Sequence, residues 1–194
     1  MGEHQVIERA VFLDRDGVLN PPVVRAGRPY PPASLSGFEL YPDVVDATMR
    51  LKAAGFLLVV VTNQPDVGRG TQTRAQVEVM HRKLQTALPC LDRIEVCYHA
   101  GTEHGESCDC RKPKPGMVLR AAAELGINLA ASYLIGDRWR DVDCAHAAGC
   151  RTVFIDRGYA EPLREAPNFT VGSFAEAAEV VLCDARTALH SSRD

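Results

Sequence analysis

The chain of 194 residues contains no run of ~18 consecutive apolar residues, so no membrane-spanning helix is expected. It has no excess of basic residues either. With 22 Lys and Arg against 25 Asp and Glu, its formal net charge is −3, which argues against a nucleic-acid partner held by a cationic face. The opening MGEHQVIERA lacks a basic stretch followed by an apolar one, so no secretory leader is expected. Met1-Gly2 is followed by Val6 where N-myristoylation requires Ser or Thr. Seven cysteines are an odd number, and without a leader a disulfide framework is not expected. These absences point to a cytoplasmic protein with neither membrane nor nucleic-acid partner; a monomer is the expected state. The length suits one domain, 1–194.

What is present is an ordinary globular composition, 46% hydrophobic and 24% charged, arranged in alternating patterns. RAVFLDRDG is a short apolar run ending in acid, the pattern of a buried strand breaking into a loop. FLLVVVTNQ, nearly continuous and β-branched, reads as a strand buried on both faces. DRIEVCYH, SYLIGD and RTVFID read as further strands. Helical spacing appears in PDVVDATMRLKAAG, with Pro42 at its start and Gly55 at its end, in TRAQVEVMHRKLQTAL, in KPGMVLRAAAELG and in RDVDCAHAAG. It returns in SFAEAAEVVLCDART, with Ser173 as the N-cap. The proline-rich stretch 21–36 is expected to form no regular structure. Alternating strands and helices predict an α/β fold: a Rossmann-like three-layer sandwich around a mostly parallel sheet, whose ligands sit at the carboxyl ends of the strands.

Four strand ends or helix entries carry chemistry. Asp14 and Asp16 stand two apart with Gly17 behind them; hard carboxylate oxygens there suit Mg²⁺, and one acid can serve as nucleophile while the other moves a proton. Asp-x-Asp-Gly is equally the composition of a solvated turn. Thr62 and Asn63 offer a hydroxyl and an amide to phosphate oxygens, or form a polar strand exit. Lys112, between Arg111 and Lys114, can balance a carboxylate and a phosphate, or simply belong to a basic helix entry. Asp137 after Gly136, with Asp141 four residues on, suits a Mg²⁺ site or a helix N-terminus that favours acids.

The stretch CYHAGTEHGESCDCRKPKPGM adds four soft ligands, Cys97, His99, Cys108 and Cys110. Such a set suits Zn²⁺ in a closed tetrahedral site that stabilises the loop 97–110 and positions Arg111 and Lys112. His104 is a second candidate for the histidine. Reduced thiols in a loop, or a Cys108–Cys110 disulfide, are the alternatives. Cys90, Cys144, Cys150 and Cys183 read as small apolar residues.

In order along the chain, Asp-x-Asp-Gly-Val, Thr-Asn, Lys and Gly-Asp-x-x-x-Asp resemble the haloacid dehalogenase-like phosphatases over roughly residues 10 to 155. The resemblance implies Asp14 as nucleophile, Asp16 as acid and base, and Thr62 and Lys112 on the phosphoryl oxygens. It also implies Mg²⁺ held by Asp14, the backbone carbonyl of Asp16, and Asp137, with Asp141 supporting them. Cys-x-His followed by Cys-x-Cys-Arg-Lys-Pro-x-Pro-Gly-Met, together with TNQPDVGRG, resembles the heptose 1,7-bisphosphate 7-phosphatases within that family. This implies that Asn63, Gln64, Arg69, Arg111 and Arg138 face a small phosphorylated sugar. Three features depart from the pattern: Arg138 where Lys is familiar, Tyr98 where Pro is usual, and a longer 21–36 stretch. Neither the stretch after Asp16 nor that between Thr62 and Lys112 has room for a large cap domain, so an open site is expected. Histidinol phosphate is the alternative substrate, with Glu39 as the carboxylate for its amine. A polynucleotide 3′-phosphatase is disfavoured by the acidic balance, and a non-catalytic scaffold by the intact acid and lysine set.

Overall fold

The computed structural model describes residues 8–105 and 107–191; the leader reading over the first seven residues lies outside that range. Its centre is a six-stranded parallel sheet in the order β5-β4-β1-β6-β7-β8. The strands are β1 (Arg9–Leu13), β4 (Phe56–Asn63), β5 (Arg93–Cys97), β6 (Tyr133–Gly136), β7 (Arg151–Ile155) and β8 (Phe169–Val171). Helices α1 (Val44–Ala53), α3 (Arg74–Ala87) and α6 (Phe174–Ser191) cover one face; α4 (Gly116–Leu125) and α5 (Trp139–Ala148) cover the other.

The strands alternate between two cores because successive side chains point to opposite faces. In β1, Val11 and Leu13 join Leu51, Leu84 and Phe174, while Ala10 and Phe12 join Met117, Ala121 and Ala145. Burial on both faces explains why the central strands read as continuous apolar runs. Of the helix signals, Ser173 caps α6 as expected, whereas Pro42 stands just before the N-cap Asp43 of α1 and Thr73, read as part of α3, is its cap. Thr73 caps α3 through a reciprocal box with Gln76, and the Ser173 hydroxyl accepts from the Glu176 amide at 3.2 Å.

The chain passes from β1 outward to β4 and β5, then crosses back to β6, β7 and β8 on the other side of β1. The order of strand addition therefore reverses beside β1, and the carboxyl ends of β4, β1 and β6 open side by side into the crevice where such sheets bind ligands.

The stretch 21–36 departs from expectation. It contains a hairpin of β2 (Val23–Arg25) and β3 (Arg28–Tyr30), turning through Ala26 and Gly27, both at positive φ as a tight hairpin requires. Proline did not prevent this because a lone two-stranded ribbon leaves its outer edges unpaired. The excursion is tied down at its turn and beyond its second strand: the Ala160 amide donates to the Gly27 carbonyl at 2.9 Å, and Gln72 donates to the carbonyls of Pro32 and Ala33. It thus arches over the strand ends. Two further elements escaped the sequence reading, the edge strand β8 and the short helix α2 (Pro65–Gly68), both too brief for a periodic signal. Among the scattered cysteines, Cys144 and Cys150 are buried as expected, but Cys90 is only half-buried and Cys183 is exposed. Among the described residues, no helix is long and apolar enough to cross a membrane.

Phe174 begins α6 fully buried in the first core. Its replacement by Ala is expected to cost about 3–5 kcal/mol of stability, measured as a lower urea midpoint.

Candidate active site

β1 ends at Leu13, level with Val60 of β4 and Ile135 of β6. Each strand then releases a polar residue at the same edge: Asp14 after β1, Thr62 near the end of β4, and Asp137 after β6. Lys112 arrives from the loop before α4, and Asp141 from the first turn of α5. Carboxylate oxygens of Asp14, Asp137 and Asp141 all lie within 4.8 Å of one another. The Lys112 ammonium sits 2.9 Å from Asp14 and 2.6 Å from Asp141.

Three carboxylates and one ammonium leave two negative charges over in a buried place. Burial, more than any neighbour, pushes the Asp14 carboxyl up to about 6; Lys112 opposes this, while Asp141 and Asp16 add to it. Asp137 is pushed well up by burial and by Asp14. Burial also works against the Lys112 charge, but Asp14 and Asp141 overcome it and hold its ammonium above the ordinary range. Both Asp137 carboxylate oxygens are buried without a hydrogen-bond partner among the described residues; the Tyr159 phenol faces them at a geometry short of a hydrogen bond. Orphaned hard oxygens and a surplus of two negative charges fit a divalent cation of the Mg²⁺ type. A Cβ on Gly17, whose φ is +95°, would stand 1.6 Å from Asp137 Oδ2, so only glycine lets the two loops approach this closely.

The Asp16 carboxylate is not in that cluster. It is held by Arg15 through Nε and Nη2, by Asn20 Nδ2 at 2.9 Å and by Gln64 Nε2 at 2.8 Å. Arg15 is fully buried against the Phe38 ring, and its Nη1 lies 3.1 Å from His81 Nε2. Arg15, Asn20 and His81 were not found from sequence. Nothing in LDRDG shows that its arginine points inward, and His81 lies 66 residues further on, in α3.

The remaining expected residues separate into groups. Thr62 and Gln64 are buried, with Gln64 Nε2 donating to the Thr62 hydroxyl at 2.9 Å. Asn63 lines the cleft, but its amide clamps the Lys112 backbone, donating to the Lys112 carbonyl and accepting from its N–H, each at 3.1 Å. Arg69 is paired with Asp66 and Glu103, and Arg138 with both oxygens of Glu161. Arg111 reaches toward His99 and Glu103 at longer range, 3.4 and 3.9 Å. Arg28 from the arch and Arg140 from α5, neither anticipated, complete the wall of a cleft of about 240 Å³.

Cys97, His99, Cys108 and Cys110 converge beside this site. Cys97 Sγ lies 3.5 Å from His99 Nδ1 and 3.8 Å from Cys108 Sγ, and His99 Nδ1 lies 3.2 Å from Cys110 Sγ. Thiolates about 2.3 Å from a tetrahedral Zn²⁺ stand roughly 3.8 Å apart, so the spacing fits that ion. His104 is exposed in a separate turn, outside the cluster. β5 pairs Cys97 with Asn63, which ties this cluster to the clamp on Lys112.

Carboxylates, a lysine and orphaned oxygens at adjacent tips of a parallel sheet form a layout suited to receiving a phosphoryl group. The comparisons agree. A family model described as HAD-hydrolase-like matches residues 109–177. The D-glycero-beta-D-manno-heptose-1,7-bisphosphate 7-phosphatase of Escherichia coli (strain K12) is 41% identical over 156 residues, covering 76% of this chain and 78% of the relative. That of Pasteurella multocida (strain Pm70) is 34% identical over 185 residues, covering 90% and 97%. The crystal structure of a D,D-heptose 1,7-bisphosphate phosphatase from B. bronchiseptica, complexed with magnesium and phosphate, superposes with a TM-score of 0.76 at 29% identity, over 91% of this chain and 99% of that one. The chain belongs to the haloacid dehalogenase-like hydrolases, among their phosphatases.

His81 gives the site a pH signature. Burial first, then Arg15, lowers its pKa to about 4, against the weaker pull of Asp16 and Glu78. Its ordinary value is about 6.5, so between these values the unfolded chain binds the extra proton. Stability from this residue is full above pH ~6.5 and is lost as pH falls toward 4, by up to about 3 kcal/mol. Urea midpoints of wild type and His81→Asn at pH 7 and pH 4.5 check this: the wild type is expected to lose more on acidification than the variant.

Proposed function

We propose that the chain removes the 7-phosphate of D-glycero-D-manno-heptose 1,7-bisphosphate through an aspartyl-phosphate. The observation that carries this reading is the Asp14–Lys112–Asp141 cluster with the orphaned Asp137, in a chain 41% identical to a phosphatase of that substrate.

In this reading an Asp14 oxygen attacks phosphorus, and the bond from phosphorus to the sugar oxygen breaks. Asp16 protonates the departing oxygen, which as a bare alkoxide would leave poorly. Asp16 then takes a proton from water as that water attacks the phosphoryl group, releasing phosphate and restoring Asp14. Arg15, Asn20 and Gln64 hold the Asp16 carboxylate for both steps. Lys112, and the Thr62 hydroxyl beneath, face the phosphoryl oxygens. Asp14, Asp137 and the Asp16 carbonyl would hold Mg²⁺, with Asp141 in support; when bound, the ion offsets repulsion between carboxylate and phosphate. Zn²⁺ on Cys97, His99, Cys108 and Cys110 would have a structural part only, fixing the loop that delivers Arg111 and Lys112. The histidinol-phosphate alternative loses its anchor, because Glu39 is exposed and paired with Lys83 at 2.8 Å.

The test is phosphate release with Mg²⁺ from a panel of heptose 1,7-bisphosphate anomers, fructose 1,6-bisphosphate and histidinol phosphate. One heptose anomer is expected to lead in kcat/KM by ~100-fold, about 2.7 kcal/mol; equal rates across the panel would sink the assignment. Asp16→Asn is expected to lower kcat by about 10²–10⁴ with a smaller change in KM. For the second metal, elemental analysis of purified protein is expected to find one zinc per chain. Cys108→Ser should lose it and lower Tm, while retained zinc would exclude the ligand set.

A further inference from the structure

The cleft wall carries more arginine than its acids can pair. Arg138 occupies both oxygens of Glu161, and Arg69 is closed by Asp66 and Glu103. Arg28 and Arg140 line the same cleft with no hydrogen bond or ion pair to an acid among the described residues.

Arg140 stands where a cation is disfavoured. It is the second residue of α5, at the end of the helix that carries partial positive charge. Burial opposes its charge most, the Arg138 and Arg111 guanidiniums add to this, and the nearby Glu161 and Asp141 carboxylates offset part of it. What holds it in place is the Trp139 ring, 4.5 Å from its guanidinium, a contact that orients the charge without neutralising it. Glu161 and Asp141 compensate only through space, with no ion pair to the guanidinium among the described residues, so its donors stay open to an anion from outside. Six cations and six acids line the cleft, but Asp14 and Asp141 are held by Lys112 and Asp16 by Arg15, so the five arginines share Asp66, Glu103 and Glu161. Arg28 and Arg140 are the two of these arginines with no ion pair among the described residues. Arg28 comes from the arch and Arg140 from α5, so an anion between them would also fix the open side of the cleft.

We infer that Arg140, with Arg28 on the arch, forms a subsite for the second phosphate of a bisphosphorylated sugar. This rests on the proposed reading of the catalytic centre, which takes the first phosphate. It assigns the second phosphate to the two unpaired guanidiniums rather than to Arg69 and Arg138, whose charge is already met. Arg111, only loosely held by Glu103, adds to the field.

The test compares heptose 1,7-bisphosphate with heptose 7-phosphate on wild type, Arg140→Gln, Arg140→Lys and Arg28→Gln. The readout is the ratio of kcat/KM for the bisphosphate to that for the monophosphate. A charge-assisted hydrogen bond lost from this ratio is expected to lower it roughly tenfold or more in Arg140→Gln, with partial recovery in Arg140→Lys and a smaller fall in Arg28→Gln. A ratio unchanged in Arg140→Gln and Arg28→Gln overturns the subsite while leaving the heptose reading intact. Wild type that turns over neither heptose ester marks failure of that reading instead. The subsite is then judged by competition of fructose 1,6-bisphosphate and fructose 6-phosphate against a chromogenic phosphomonoester. Tighter inhibition by the bisphosphate, lost in Arg140→Gln, supports it; equal inhibition by the two overturns it.

Discussion

Everything at the strand tips answers to one electrostatic constraint: three carboxylates, Asp14, Asp137 and Asp141, are buried together around a single lysine. Such a cluster is unfavourable alone, because desolvation and mutual repulsion both act against the charged forms. Lys112 answers part of it, and the remaining deficit has the sign and size of a divalent cation. The fold holds the cluster in place through backbone rather than through balance of charge. Three parallel strands end at the same level, and Gly17 lets one loop lie against Asp137 where any side chain would collide.

The lysine comes from a loop rather than from a strand end, and several contacts fix it there. Asn63 holds its backbone by two hydrogen bonds from the end of β4. The same register sets Cys97 beside Asn63, and the Cys and His cluster closes the loop from which Lys112 emerges. Under the proposed reading, the soft-metal site therefore acts on catalysis by geometry alone. Asp16 is kept apart from the lysine and the carboxylates, in a pocket of donors formed by Arg15, Asn20 and Gln64, with neutral His81 behind the arginine. Two acids two residues apart thus occupy different environments, the condition for dividing the work of nucleophile and proton carrier between them.

With no large insertion over the strand ends, the cleft is shaped by what surrounds it: the arch of residues 21–36, α2, the loop of the Cys and His cluster, and the first turn of α5. These segments differ in character from the tips beneath. The tips are buried and nearly fixed in chemistry, whereas the wall is a set of exposed or half-buried charges whose pairing decides which remain available. Arg69 and Arg138 look like ligand contacts in the sequence, yet both are met by acids; Arg28 and Arg140 carry no such mark and have no ion pair among the described residues.

The sequence by itself determined the alternation of strands and helices, the parallel sheet, and the residues gathered at its edge. These follow from local periodicity and from the direction in which a buried strand must end, both written in consecutive residues. The four soft ligands were legible for the same reason, since they lie within fourteen residues of one another. The remainder depends on contacts between segments far apart in the chain. The hairpin in the proline-rich stretch is held by Gln72 and Ala160, both distant in sequence. The burial of Arg15 depends on Phe38 and His81 from separate elements. Which arginines are neutralised depends on Glu103 and Glu161, which lie 34 and 23 residues beyond their partners. Charge pairing and burial are properties of neighbours in space, and a linear pattern does not encode them until the sheet has brought its loops together.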